Sequence, residues 1–356
     1  MPRTLRELDY VDLFLWLFRA VVIVIVVAGI VGKLFLQVGT NYSSEQWIKF
    51  FVAGLSQGSL YALIALGYTL VYGVLFMINF AHGEFFMSGT MTATIFVAIP
   101  LASAGFLERF PFMSLLAIML TSMLISIAVA LLTERVAYRP LRRAPRLVPL
   151  ITAIGASFFW QYFFAGLYGT AIVPFPTIPA LEGSVDILGV DVLKTRIVVM
   201  VSSVIMLIGL YWFVMGTKTG KAIRAVAEDK DVAALMGVDV DRTIAITFAT
   251  GAAMAGAAGI LYALLFSQTQ FIMGFIPGIK AFTAAVLGGI GSVPGAALGG
   301  LFLGLIEALG PPLFLEGLGI PAAHQLKDVI AFTMLVLVLI FRPQGIIGER
   351  LAEKKA

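Results

Sequence analysis

The chain has 356 residues, 60% of them hydrophobic and 12% charged, with a mean hydropathy of +1.01 and a formal net charge of +4. That balance excludes a soluble domain, whose surface could not cover so much apolar sequence, and fits an all-α polytopic membrane protein. With no cysteine and only His82 and His324, thiol-based and histidine metal centres are excluded too, and the modest charge gives no sign of nucleic-acid binding.

Taken in order, the N-terminal arm mixes Arg3 and Arg6 with Glu7, Asp9 and Asp12. Ala20–Gly32 is the unbroken apolar core of a first span, read as uncleaved because no small-x-small site follows it. Arg19 is placed near the inner interface, Lys33 is read as snorkelling at the outer end, and Trp47 as an outer-interface anchor. A second span covers Phe50–Ile78 and a third Phe85–Leu107. Asn79–Glu84 between them leaves room only for a tight turn or an unwound helix joint at the membrane face. A fourth span, Pro111–Thr133, leads into Glu134–Arg146, whose Arg135, Arg139, Arg142, Arg143 and Arg146 mark a cytosolic loop.

The fifth span is Leu147–Tyr168. Val173–Arg196 follows, with three prolines and apolar alternation around Gly183 and Gly189, which reads as a small outer excursion with a short hairpin. Ile197–Met215 and Thr243–Phe266 are the sixth and seventh spans. Gly278–Gly289 and Gly295–Gly310 are short for crossing, so they are either tilted spans or a broken, partly re-entrant pair. Pro311–Gln325 is read as an outer loop, Leu326–Phe341 as the last span and Arg342–Ala356 as a cytosolic tail. The total is about ten membrane-spanning or membrane-embedded helices with both termini inside. Only Lys33, Lys49, Arg109, Lys194, Arg196, Lys280 and Lys327 fall at or near the outer side; the other Lys and Arg residues fall inside.

No phosphate-binding G-x-x-x-x-G-K-[ST] loop, H-E-x-x-H or nucleophile triad is present, so the chain is not read as an enzyme. Ionisable residues inside apolar runs are functional candidates because each is costly in lipid. Asn79, His82, Glu84, Thr152, Ser157 and Glu307 are therefore pathway or gating candidates, lying at a helix joint or inside a span. For His82 and Glu84 a structural cap on the broken helix is the alternative. Glu307 has three readings: lining a polar pathway, hydrogen bonding to a neighbouring helix, or snorkelling outward. Gly251, Ala255 and Gly259, then Gly291, Gly295, Gly299 and Gly304, recur at spacings that let helix backbones approach, a packing role.

Lys218–Arg242 is the longest strongly charged stretch within the apolar chain and carries five basic residues, so it is cytosolic. Ala222–Val226 and Val232–Met236 read as short helical pieces around the charged run Glu228–Asp231, with Gly237 as a helix stop. On a helix Ala225, Asp229, Val232 and Met236 share a face, with Ala222, Val226 and Ala233 close to the same side. A short amphipathic element just under a membrane invites a partner protein; a solvated loop is the plainer reading.

Five stretches carry a resemblance: Gly58–Gly89 with NFAHGEFF, Glu134–Ser157, Gly220–Arg242, Gly278–Gly310 and the closing RPQGIIG at Arg342–Gly348. Together they resemble the LivH-type permease subunits of the high-affinity branched-chain amino acid ABC importers. The resemblance implies residues 50–348 as the permease core, 1–49 as an arm with an extra first span, and 349–356 as a short tail. It also implies a bacterial inner-membrane complex with a second homologous permease, two cytosolic ATPase subunits and a periplasmic solute-binding protein. ATP and Mg would be bound by the ATPase partners and no cofactor by this chain. By position, Ala222, Arg224, Ala225, Glu228, Asp229, Ala233 and Gly237 inherit ATPase coupling. Urea and short-chain amide permeases look similar, an ion-coupled secondary carrier or a purely structural membrane protein is further off, and the 173–196 excursion matches no motif.

Overall fold

A computed structural model describes residues 10–142, 144–145, 147–187, 189–342 and 344–347. The expectations placed on Arg3, Arg6, Arg143, Arg146 and the tail 349–356 lie outside the described residues. The helices are α1 (Tyr10–Leu34), α2 (Ser44–Leu75), α3 (His82–Ala93), α4 (Ile99–Ser103), α5 (Phe106–Arg109), α6 (Pro111–Thr133), α7 (Leu147–Tyr168), α8 (Lys194–Gly216), α9 (Lys218–Glu228), α10 (Lys230–Leu235), α11 (Val240–Phe266), α12 (Phe275–Gly288), α13 (Val293–Gly310) and α14 (Lys327–Phe341). Nine helical stretches among the described residues are long and apolar enough to span a membrane, and α12 is a shorter apolar helix, so the fold is polytopic and all-helical in its membrane part.

α2 is the hub. Its most apolar stretch is 83% buried against 6% for that of α1, so α2 is the core and α1 a peripheral helix. Small residues set the distances. A side chain on Gly304 would overlap the backbone of Gly58 and one on Gly299 the backbone of Ala284 and Gly288, while one on Gly251 would press tightly on the backbone of Gly67. Backbones this close exchange dispersion contacts that lipid cannot supply. Ser122 and Ser126 of α6 add cross-helix hydrogen bonds to the carbonyls of Gly256 and Phe85, both 2.7 Å. Gly291 departs from the packing expectation. It turns the chain between α12 and α13 at φ +100°, with nothing within 4 Å of where a Cβ would sit.

Outside the membrane part, β1 (Val173–Pro174) pairs antiparallel with β4 (Gln268–Thr269). β2 (Ser184–Ile187) and β3 (Val190–Leu193) form the expected hairpin, with Gly189 in its turn. Two segments expected to be loops are folded. α6 runs on through a π-turn (Glu134–Tyr138) and a 3₁₀ turn (Arg139–Leu141), which buries Glu134 beneath Arg142. α13 likewise runs on through Pro311–Leu315 and Glu316–Leu318. Composition alone hides both continuations, because Arg or Pro in a last turn reads as a break. The tail after α14 returns to the α12–α13 joint, where the N–H groups of Ile346 and Ile347 donate to the carbonyls of Leu287 and Gly288 at 2.8 and 3.0 Å.

The first helix, α1, is fastened at its outer end. Gly29 and Gly32 lie directly on the backbone of Phe314 and Gly317. Lys33 does not snorkel; it is 6% exposed, donating to the Thr40 carbonyl at 2.5 Å and to Glu316 at 2.7 Å. Tyr42 donates to the other Glu316 oxygen at 2.7 Å. A carboxylate so near lets the ammonium stay charged away from water, which surface snorkelling would have achieved through the headgroups. Lys33→Met leaves Glu316 with Tyr42 but without its cation, so we expect a loss of about 1–3 kcal/mol at this clip. Limited proteolysis should then cut within residues 35–43 while the rest of the fold persists. The Tyr42 phenol is pushed up to about 12, by burial first and by Glu316 second. Its folded value lies above the unfolded one of 10.0, so its contribution is complete below pH 10 and fades as pH rises toward 12. Protease sensitivity of the 35–43 linker, measured against pH, should follow that course.

Candidate functional site

Three polar regions are built on this scaffold: a buried joint, an outer cavity and an inner pair of short helices. The joint lies where α2 ends at Phe76 and α3 begins at His82. Asn79 is 1% exposed; its side-chain oxygen accepts from the Ala81 N–H at 3.1 Å and the Tyr138 hydroxyl at 2.6 Å. His82 is fully buried between the rings of Tyr68 and Phe85. Glu84, 1% exposed, accepts from Ser157 of α7 at 3.0 Å. The structure therefore joins Glu84 to Ser157 and packs Asn79, His82 and Glu84 among the helices at the expected joint. Thr152 stands apart, its hydroxyl donating to the Val148 carbonyl of its own helix at 2.9 Å. A polar joint within an apolar bundle is a pivot candidate, since its hydrogen bonds tie α3 to α6 and α7 around an unwound turn.

The outer cavity, about 260 Å³, lies among the outer ends of α2, α11, α12 and α14. Glu307 sits beneath its wall. It is 3% exposed, accepts from Tyr61 at 2.8 Å and is ion-paired to Lys280, which excludes the snorkelling reading. Lys280 also pairs with Asp328 at 2.6 Å, and Gln57 donates to Tyr61 at 2.7 Å. Sequence reasoning counted Lys280 only as an outer positive charge. Its place inside the apolar run Gly278–Gly289 was the signal that it is an embedded ionisable residue. Gln57, Tyr61 and Asp328 carried no such mark, because each becomes special only through helices brought together.

On the inner side α9 and α10 form two short helices between α8 and α11. Asp229 separates them, capping α10 by accepting from the N–H groups of Asp231 and Val232 at 2.9 and 3.0 Å. Gly237 follows at φ +86° in the expected left-handed stop. The two faces differ from the sequence expectation. Ile223, Val226 and Ala233 are buried against this chain's own core, and Ala222 is half-buried. Arg224, Ala225, Glu228 and Asp229 are exposed, as are Val232, Leu235 and Met236 at 54%, 86% and 80%. Val226 turns inward because neighbouring residues on α9 lie ~100° apart around the helix, and Ala233 lies beyond the kink at Asp229, where the period of α9 no longer applies. Behind this element Arg139 and Arg142 both pair with Asp241, and Arg142 also with Glu134. The end of α6 is thereby pinned to the start of α11. The Lys230 ammonium is lowered from its ordinary value by burial, with Arg142 adding to it, and lies 5.7 Å over the Phe76 ring.

Comparison with known proteins places this architecture. The family described as branched-chain amino acid transport system / permease component matches residues 50–339. The high-affinity branched-chain amino acid transport system permease protein BraD of Pseudomonas aeruginosa is 44% identical over 311 residues, covering 86% of this chain and 98% of BraD. The LivH permease protein of Salmonella typhimurium is 39% identical over 327 residues, covering 87% and 99%. A probable LivH of Methanocaldococcus jannaschii is 26% identical over 297 residues, covering 82% and 89%. No solved structure matches the chain. α1 precedes the matched region. The chain, a multi-pass membrane protein and a transport subunit rather than an enzyme, belongs to the permease-component family of the branched-chain amino acid transport systems.

Proposed function

We propose that the chain is one of two permeases in an ATP-driven importer that passes branched-chain amino acids inward by alternating access. The observation that carries this is the α9–α10 element. Two short helices, joined to α8 through Thr217 and to α11 through the turn at Gly237, present Leu235 and Met236 to the cytosolic side, where an isolated membrane protein would place polar residues. A partner that closes on ATP can push this element, and the arginine-pinned end of α6 moves with it. Two ATPase subunits, a second permease and a periplasmic binding protein complete the proposed complex; the names of BraD and LivH support the part of permease in a high-affinity branched-chain amino acid transport system.

The joint at Asn79–Glu84 is the proposed pivot, and Glu307 with its partners lies at the outer entrance. The deciding experiment reconstitutes the chain with its partners in proteoliposomes and measures uptake of labelled leucine, isoleucine and valine. ATP-dependent uptake of these, and not of urea, is expected. ATP-dependent urea or amide uptake alone would transfer the chain to that branch of solutes.

A further inference from the structure

The outer cavity is lined by two unlike kinds of residue. Phe266, Ile272, Met273 and Ile276 are apolar, while Gln57, Gln268 and Gln270 join Lys280, Lys327 and Asp328 in supplying polar and charged groups. At about 260 Å³ it lies just below the usual ~300–1,000 Å³ range of small-molecule pockets. That size admits one small solute rather than a peptide or a lipid. Its charge is balanced: Lys280 and Lys327 stand against Asp328 and, immediately beneath, Glu307. Neutral overall yet locally divided, the set offers a cation and an anion a few ångströms apart. A net anion or cation gains from one half and is opposed by the other, whereas a zwitterion uses both.

We propose that this cavity is a transient subsite for the zwitterionic end of a free amino acid, with Lys280 as its specificity-determining residue. The inference rests on the importer reading above and deepens it by naming the chemistry of recognition. Lys280 is 3% exposed, and its ammonium already sits between Glu307 and Asp328. An incoming carboxylate takes a share of Lys280, and the released Asp328, whose side chain is 44% exposed, receives the incoming ammonium. Glu307 stays behind, held by Tyr61, so Lys280 never loses its counter-charge. Exchanging one ion pair for two of the same kind leaves little net affinity, which suits a station that must release its solute. The aliphatic side chain meets the apolar groups of Phe266, Ile272, Met273 and Ile276. A permease for urea or a simple amide has no use for the separated charges.

The test uses the full importer in proteoliposomes with saturating leucine-loaded binding protein. Two variants are compared with wild type: Asp328→Asn, and Lys280→Met combined with Glu307→Gln, which removes the buried pair as a unit and leaves only the half-exposed Asp328 without its lysine. Leucine uptake should fall at least tenfold in each, while ATP hydrolysis stimulated by the loaded binding protein stays within twofold of wild type. Should the double variant not assemble, Asp328→Asn decides, because it leaves the Lys280–Glu307 pair in place. Uptake within twofold of wild type in Asp328→Asn would overturn the proposal. Loss of uptake together with loss of stimulated hydrolysis would overturn it too, assigning these residues to assembly. A wild-type complex that carries urea and no leucine would instead refute the parent reading.

Discussion

Replacing Leu235 and Met236 together with Asp should abolish import while leaving the permease folded. Both side chains are largely exposed, so no core area is lost and membrane insertion and thermal stability should match wild type. Desolvated apolar anchors at an interface cost about 2 kcal/mol or more each on truncation, and buried carboxylates in their place cost further. Association with the ATPase subunits is expected to weaken by roughly 100-fold or more. Copurification through a tag on this chain reads it directly. Ala225→Trp, on the same exposed side, should weaken association without unfolding. Ala233→Trp behaves differently, since Ala233 is 4% exposed within the chain's own core. It should lower stability first, by about 1–3 kcal/mol or more from overpacking. Equal association in the double aspartate variant and wild type would remove α9–α10 from the interface.

The second large effect concerns the contact of α2 with α13. Gly304→Val should destabilise the bundle by about 3 kcal/mol or more, at the upper end of overpacking costs. The new carbon would meet the backbone of Gly58 and the Gly54 carbonyl, and neither can rotate aside as a side chain does. Separating the helices would also loosen Glu307 from Tyr61, coupling packing to the outer cavity. Gly155→Val is the control: that glycine, on the exposed face of α7, has nothing within 4 Å of its would-be Cβ. Its helix-propensity change is below ~1 kcal/mol. Thermal unfolding in detergent should separate the two by several degrees. Equal midpoints would mean the α2–α13 approach is looser than described.

Apolar runs of span length and bands of arginine are legible because lipid imposes them residue by residue. α7 is therefore found at its expected bounds, Leu147–Tyr168, and the Ser184–Leu193 hairpin within its expected excursion. What a sequence hides is what depends on a distant partner. Lys33 looks like an interfacial lysine until Glu316, 283 positions away, is brought beside it. Glu307 had three readings because Lys280 and Tyr61 lie on two other helices. The inward turn of Ala233 followed from a kink at Asp229, where an ideal helical period no longer holds. Gly291, spaced like a packing glycine, serves a turn, because spacing alone does not distinguish a helix face from a joint.

ATP dependence of leucine uptake by the reconstituted complex tests the central reading most directly. Labelled leucine should accumulate in proteoliposomes only with ATP on the cytosolic side and loaded binding protein on the other, and excess isoleucine or valine should suppress it. Uptake that proceeds without ATP, or that is driven by a sodium or proton gradient, would contradict the account.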